Sequence, residues 1–172
     1  MKNYFALILT MLLFALSATA QNAVKQADSV LKTDALLRVE IDGGKTYELK
    51  AAELAKLPRR EVKGKTHDGA EAMFSGVELR EVLKLAGVKF GDEGKKSNLV
   101  SYLTVEATDN YRAVFAMSEL ESDFTDKVIL LADKRDGKPL AKEEGNLRLV
   151  VPDEKKQARW VRQVVVLRVK KT

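Results

Sequence analysis

Leu37, Val39 and Ile41 alternate with Arg38 and Glu40, a period of two that predicts a strand with one buried face. Asp42-Gly43-Gly44 then turns the chain, and residues 46–49 return it as a hairpin. Residues 51–57 read as a short helix that stops at Pro58. A weak strand over 61–66, a turn at Asp68-Gly69 and a return over 71–74 form a second hairpin. The clearest helical pattern covers 77–87. Val77, Val82, Leu83, Leu85 and Ala86 give the apolar face, Glu78, Arg80, Glu81 and Lys84 the wet one, and Gly87 the C-cap. After a charged loop over 90–97, strands over 99–107 and 111–116 flank a Thr108-Asp109-Asn110 turn, and Ser118 is placed to cap one helical turn. Residues 128–132 are wholly apolar, as a central strand requires. Asp136-Gly137-Lys138-Pro139 turns the chain again, and strands over 147–151 and 161–169 flank a charged loop. Eight to ten short strands with two or three short helices predict an α+β fold of mixed, mostly antiparallel β-sheets. Leu83, Val105, Leu130, Val150 and Val166 are expected to share one core.

The start of the chain follows a different rule. Lys2, an apolar run over 4–16 broken only by Thr10, and the small-x-small triplet Ala18-Thr19-Ala20 form the pattern of an export signal cleaved after Ala20. The run is shorter than the roughly 20 residues that a membrane span needs. No Arg-Arg pair precedes it, so the pattern is of the Sec type and not the twin-arginine type. The expected organisation is a signal peptide over 1–20, an N-terminal tether over 21–35 and one domain over 36–170. The product is expected to be periplasmic or secreted, with no membrane association after cleavage.

Composition narrows the chemistry. The 172 residues, 45% hydrophobic and 32% charged, leave room for one full-sized domain. With no cysteine and a single histidine, disulfides, thiolate nucleophiles, Cys-ligated zinc, iron–sulfur clusters and multi-His metal sites are excluded. No metal ligand and no catalytic residue is assigned. Residues 147–172 hold eight basic residues against Asp153 and Glu154, so this end attracts an anion or an acidic partner. Nucleic acid is not expected, since no basic strand carries the aromatics that stack bases. Lys170 and Lys171 fit a solvated edge strand whose charges block aggregation.

Four pieces, in order, resemble the molybdopterin-binding domain of the sulfite oxidase family. They are Gly76-Val77-Glu78-Leu79 running on to Ala86-Gly87-Val88; Asp109-Asn110-Tyr111; Leu131-Ala132 with Gly137-Lys138-Pro139-Leu140; and Leu147-Arg148-Leu149-Val150-Val151-Pro152 with Trp160-Val161-Arg162. The resemblance spans about 36–169. It implies a mixed fold of several sheets and a molybdopterin held in loops rich in Arg, His and Lys. It also implies a metal-ligating cysteine between the early Glu-Val strand and the Gly-Val-x-Leu helix. Here that stretch, 61–75, has none. A Sec signal moreover carries an unfolded chain, whereas the cofactor is loaded before export.

These departures point to a non-catalytic, exported binding module for a small anionic or pterin-like ligand. Molybdopterin or a relative would bind without metal, and a periplasmic protein is the other expected partner. Two alternatives stay open: a molybdopterin-dependent oxidoreductase with a non-cysteine metal ligand, and an interaction subunit with a vestigial pocket. The candidate ligand-binding residues are His67, Tyr111, Arg112, Lys155, Lys156, Arg159 and Trp160. His67 beside a turn is either an anion contact or an ordinary turn residue. Arg112 is either a bidentate clamp or a strand residue facing water. Lys155, Lys156 and Arg159 suit a phosphate, or else form a solvated loop. Trp160 is a core or rim anchor rather than a stacking platform, with Arg159 or Arg162 expected on its face. The three segments are expected to converge on one cleft.

Overall fold

The computed structural model describes residues 34–172, so the signal peptide and nearly all of the tether lie outside the described residues. The alternation at Leu37 and Val39 becomes β1 (Ala35–Ile41), which turns at Gly43 and Gly44 into β2 (Lys45–Lys50). Both glycines have positive φ, 90° and 86°, which a side chain would oppose. A single helical turn, α1 (Ala51–Leu54), leads to the hairpin of β3 (Arg59–Lys65) and β4 (Glu71–Glu78), then α2 (Leu79–Leu85). A 3₁₀ turn at Gly91–Glu93 and α3 (Lys95–Asn98) precede β5 (Ser101–Ala107) and β6 (Arg112–Ala116). A further 3₁₀ turn, Met117–Leu120, leads on to β7 (Leu130–Arg135), β8 (Lys138–Pro139) and β9 (Arg148–Val150). The chain closes with a 3₁₀ turn at Gln157–Arg159 and β10 (Val164–Lys171).

These strands form two 5-stranded sheets. One has the order β2-β1-β10-β5-β6; the other runs β3-β4-β7-β8, with β9 also on β7. The β1–β10 pairing is parallel and all the others are antiparallel. The fold class is thus the α+β arrangement of mixed, mostly antiparallel sheets with short helices. The buried faces share one core that includes Leu37, Phe74, Leu83, Val105, Leu130 and Val150.

Several boundaries differ from the sequence pattern. Gly76, Val77 and Glu78 belong to β4 and not to the helix, because they pair with Ala132, Leu131 and Leu130 of β7. The last strand starts at Val164 instead of residue 161, since Gln163 takes a φ of 50° that no strand continues through. The charged loop over 90–97 contains helical turns. β10 is not an edge strand, because parallel pairing with β1 puts it between β1 and β5; the β1 register ends at Val169, so Lys170 and Lys171 pair with β5 alone and stay exposed.

Val166 is buried but outside the main core. It stands in register with Arg38 on one side and Glu106 on the other, so it shares the charged outer face of its sheet. Leu130 and Val150 face each other across β7 and β9, both at 0% exposure. Truncating either to Ala is expected to cost about 2–4 kcal/mol, because the surrounding strands cannot collapse onto the gap. Urea denaturation of the two variants checks this.

Candidate functional site

A cavity of about 650 Å³ opens between the β3–β4 hairpin and the loop over 152–160. Lys63, Lys65 and His67 stand on the hairpin side, and Lys155, Lys156 and Trp160 on the loop side. Glu71 and Glu154 also line it, but Arg159 binds the Glu154 carboxylate at 2.6 Å. Among the described residues the four lysines have no carboxylate partner, whereas every arginine except Arg162 has one. The cavity therefore carries a positive balance left open to solvent.

The hairpin wall is set by a small turn. Thr66 N–H donates to the Ala70 carbonyl at 2.7 Å, and Gly69 N–H donates back to Thr66 O at 2.9 Å. The Thr66 hydroxyl and then the Ala70 N–H donate to Asp68, which holds its carboxyl below the ordinary range. His67 sits exposed at this turn. Gly64 is where strand and loop meet, since any Cβ there would fall on the Trp160 ring.

The loop wall is pinned from behind. The Tyr111 hydroxyl donates to Ala158 O at 2.5 Å. The Arg159 guanidinium donates to both oxygens of Glu119 at 3.1 Å and to Val114 O at 3.2 Å, and lies 4.3 Å from the centre of the Phe115 ring. Burial pushes the Glu119 carboxyl up, but hydrogen bonds from Arg159 and the Ala116 N–H outweigh it, so it titrates below its usual range. The same hydrogen bond with Glu119 raises Arg159 above an ordinary arginine. The Gln157 amide donates to the Lys65 carbonyl and ties the two walls together. Trp160 is 6% exposed, donates its indole N–H to Val151 O at 2.8 Å, and meets Phe74 edge-on at 5.6 Å. It anchors the loop, and the cation on its face is Arg148 at 5.4 Å, not Arg159 or Arg162.

The structure thus brings His67, Lys155, Lys156 and Trp160 to one cavity and leaves the other three candidates out of its lining. Tyr111 and Arg159 hold the loop. Arg112 points elsewhere because it stands opposite Glu106 in the β5–β6 register, and its Nε donates to that carboxylate at 2.9 Å. Glu106 also binds Arg168, which reaches Glu40 at 2.8 Å, making a ladder of alternating charge across four strands. Arg112 is 58% exposed, so Arg112→Ala is expected to cost under about 1 kcal/mol and to leave ligand affinity unchanged. Thermal denaturation and a ligand titration of the variant check both. Sequence reasoning missed Lys63 and Lys65, although a Lys-x-Lys alternation running into the His67 turn marked that strand face.

A second, shallower hollow of about 340 Å³ shares Thr66 and His67 with the first and is lined by Arg135, Arg148 and Arg162. Arg148 is 3% exposed on β9, and Glu144, 5% exposed, is its ion partner.

The family model of the oxidoreductase molybdopterin binding domain matches residues 26–172. The chain belongs to that family. The sulfane dehydrogenase SoxCD from Paracoccus pantotrophus has a similar fold, with a TM-score of 0.61 at 22% identity over 79% of this chain. The domain spans 38% of that protein's length, so the likeness is one of fold. No curated protein matches the chain.

The family implies a molybdopterin, and the residues of the domain fit it only in part. The lysines suit a phosphate. The metal end is not served, because the chain has no cysteine, and no group of three or more His, Asp or Glu among the described residues converges as metal ligands. In the arginine hollow the deepest cation, Arg148, is already neutralised from within by Glu144. The donor set does not fit a thiolate-held molybdenum, and no redox step follows from these side chains.

Proposed function

We propose that this domain is a non-catalytic, exported binding module whose lysine-lined cleft takes a small phosphorylated ligand of pterin-like or similar anionic character. The observation that supports this is the convergence of Lys63 and Lys65 with Lys155 and Lys156 around one cavity, from segments about ninety residues apart in sequence. Folding gains nothing from bringing four unpaired ammoniums together, since like charges repel; an anion between them turns that cost into binding energy. The lack of a soft metal ligand favours binding without redox turnover. Export rests on the Lys2, apolar run and Ala18-Thr19-Ala20 pattern, and an N-terminus at Gln21 by mass spectrometry of the natural product tests it.

The test of the binding reading combines two measurements on the mature protein. Metal analysis of the natively produced protein is expected to find no stoichiometric molybdenum. Thermal denaturation with a phosphorylated pterin is expected to show saturable stabilisation, about 2.7 kcal/mol at a hundredfold excess over Kd. Stoichiometric molybdenum with turnover would instead support an oxidoreductase with an unusual ligand. No response to phosphorylated pterin or pyrophosphate would leave an interaction subunit with a vestigial cleft.

A further inference from the structure

The arginine hollow beside the His67 turn poses an electrostatic problem. Arg135, Arg148 and Arg162 all line it, and Arg148 lies in the interior against the Phe74 and Trp160 rings, 5.4 Å from the centre of each. Burial pushes Arg148 down from the ordinary arginine range, and the charges of Arg162 and Arg135 push it further down, against the pull of Glu144. Three guanidiniums in one concavity need an anion.

The chain supplies that anion. Glu144 binds Arg148 with one carboxylate oxygen and lies 3.1 Å from Arg135 with the other. Its position is set by backbone and not by a swinging loop. Glu144 N–H donates to Ala141 O at 2.9 Å, and Gln163 N–H donates to Glu144 O at 2.8 Å. Gly145 follows at a φ of 79°, so close to the last strand that a Cβ would stand 2.7 Å from Gln163 Cα. Gln163 itself has a φ of 50°. The carboxylate is delivered to the arginines by a turn that two unusual backbone conformations lock in place. Two buried atoms of the pair lack a hydrogen bond: Arg148 Nε, and the Glu144 Oε2 that meets Arg135 as an ion pair alone.

We infer that Glu144 is a built-in counter-anion occupying an oxyanion site formed by Arg135, Arg148 and Arg162. It keeps this hollow closed to ligand anions, so that the lysine cleft alone reads the ligand's negative charge. The clause about the cleft rests on the proposed function; the clause about Glu144 does not. Glu144 sets specificity by exclusion: an anion that would enter the arginine hollow must displace a carboxylate hydrogen-bonded to Arg148, ion-paired with Arg135 and fixed at its backbone.

The test is chemical rescue. Glu144→Ala vacates the carboxylate's place, and formate is the probe, with sodium chloride at matched ionic strength as reference. The midpoint of thermal unfolding is expected to fall in E144A and to recover by at least half of the loss, saturably, as formate is added. Wild type is expected to show no saturable response. The double variant E144L/R148M removes both charges, and is expected to fold and to ignore formate. If E144A does not fold in chloride, folding on addition of formate is the supporting result, and failure at every concentration overturns the inference. An E144A midpoint equal to wild type without anion overturns it too, as does a formate response in the double variant. A saturable wild-type response that Arg162→Ala abolishes would show the hollow open in the native protein. Rescue of E144A together with a cleft that binds no phosphorylated pterin would leave Glu144's role intact and defeat only the proposed function.

Discussion

Gly76→Ala is expected to destabilise the domain by about 3 kcal/mol, although it adds one methyl group. Gly76 pairs with Ala132 at the point where the β4–β7 register shifts. A Cβ there would stand 2.6 Å from Ala132 Cα and on the Leu131 carbonyl. The obstacle is backbone and not a flexible side chain. That backbone belongs to β7, which β4, β8 and β9 fix by hydrogen bonds. Neither strand can retreat, so the β4–β7 pairing must open or the sheets must part. Because Gly76 sits just before α2, the damage extends to Leu79, Val82 and Leu83, all at 0% exposure. Urea denaturation checks this, and a stability within about 0.5 kcal/mol of wild type would show that the close approach is not needed.

Trp160→Ala is expected to cost about 4 kcal/mol and to loosen the cationic loop as well. The ring fills the space over Gly64, meets Phe74 edge-on and covers one side of the Arg148 guanidinium. Its indole N–H also satisfies the Val151 carbonyl. Truncation leaves a large void, an unpaired carbonyl and a buried cation that has lost an aromatic face. Trp160→Phe keeps much of the packing and is expected to cost less than half as much. Circular dichroism is the suitable probe, since the chain's one tryptophan is the residue removed. Equal losses for the two variants would assign the effect to the hydrogen bond instead of the packing.

Much of this fold was legible in the sequence because its signals are local. The Leu37–Val39–Ile41 alternation, the Gly43-Gly44 turn and the apolar run near Leu130 each carry their own periodicity or turn chemistry, and each became the expected element. The misreadings arose where a distant partner decided. Val77 fits a helix by spacing, yet pairing with Leu131 makes it strand. The last strand looks like an edge strand by its terminal lysines, yet β1 pairs in parallel alongside it as far as Val169. Val166 reads as core by its apolar neighbours, but register sets it among Arg38 and Glu106.

The site divides in the same way. His67 was visible beside a turn and Lys155 and Lys156 in a charged loop, and they share the cavity. Arg112 was drawn to Glu106, six residues earlier but directly opposite on the sheet, which only the hairpin register reveals. Glu143 and Glu144 are adjacent in sequence, and no local pattern tells them apart. Only the Ala141–Gly145 turn separates them, leaving Glu143 exposed and burying Glu144 on Arg148.

The measurement that bears most directly on the account is an equilibrium titration of the mature protein with a phosphorylated pterin, comparing wild type with Lys65→Ala, Lys155→Ala and Arg112→Ala. Each lost ammonium is expected to weaken binding about tenfold, or about 1.4 kcal/mol, and raising the salt concentration is expected to weaken the wild type as well. Arg112→Ala is expected to bind as wild type does. Equal affinities for wild type and both lysine variants, or an affinity lost only with Arg112, would contradict the lysine cleft as the binding site.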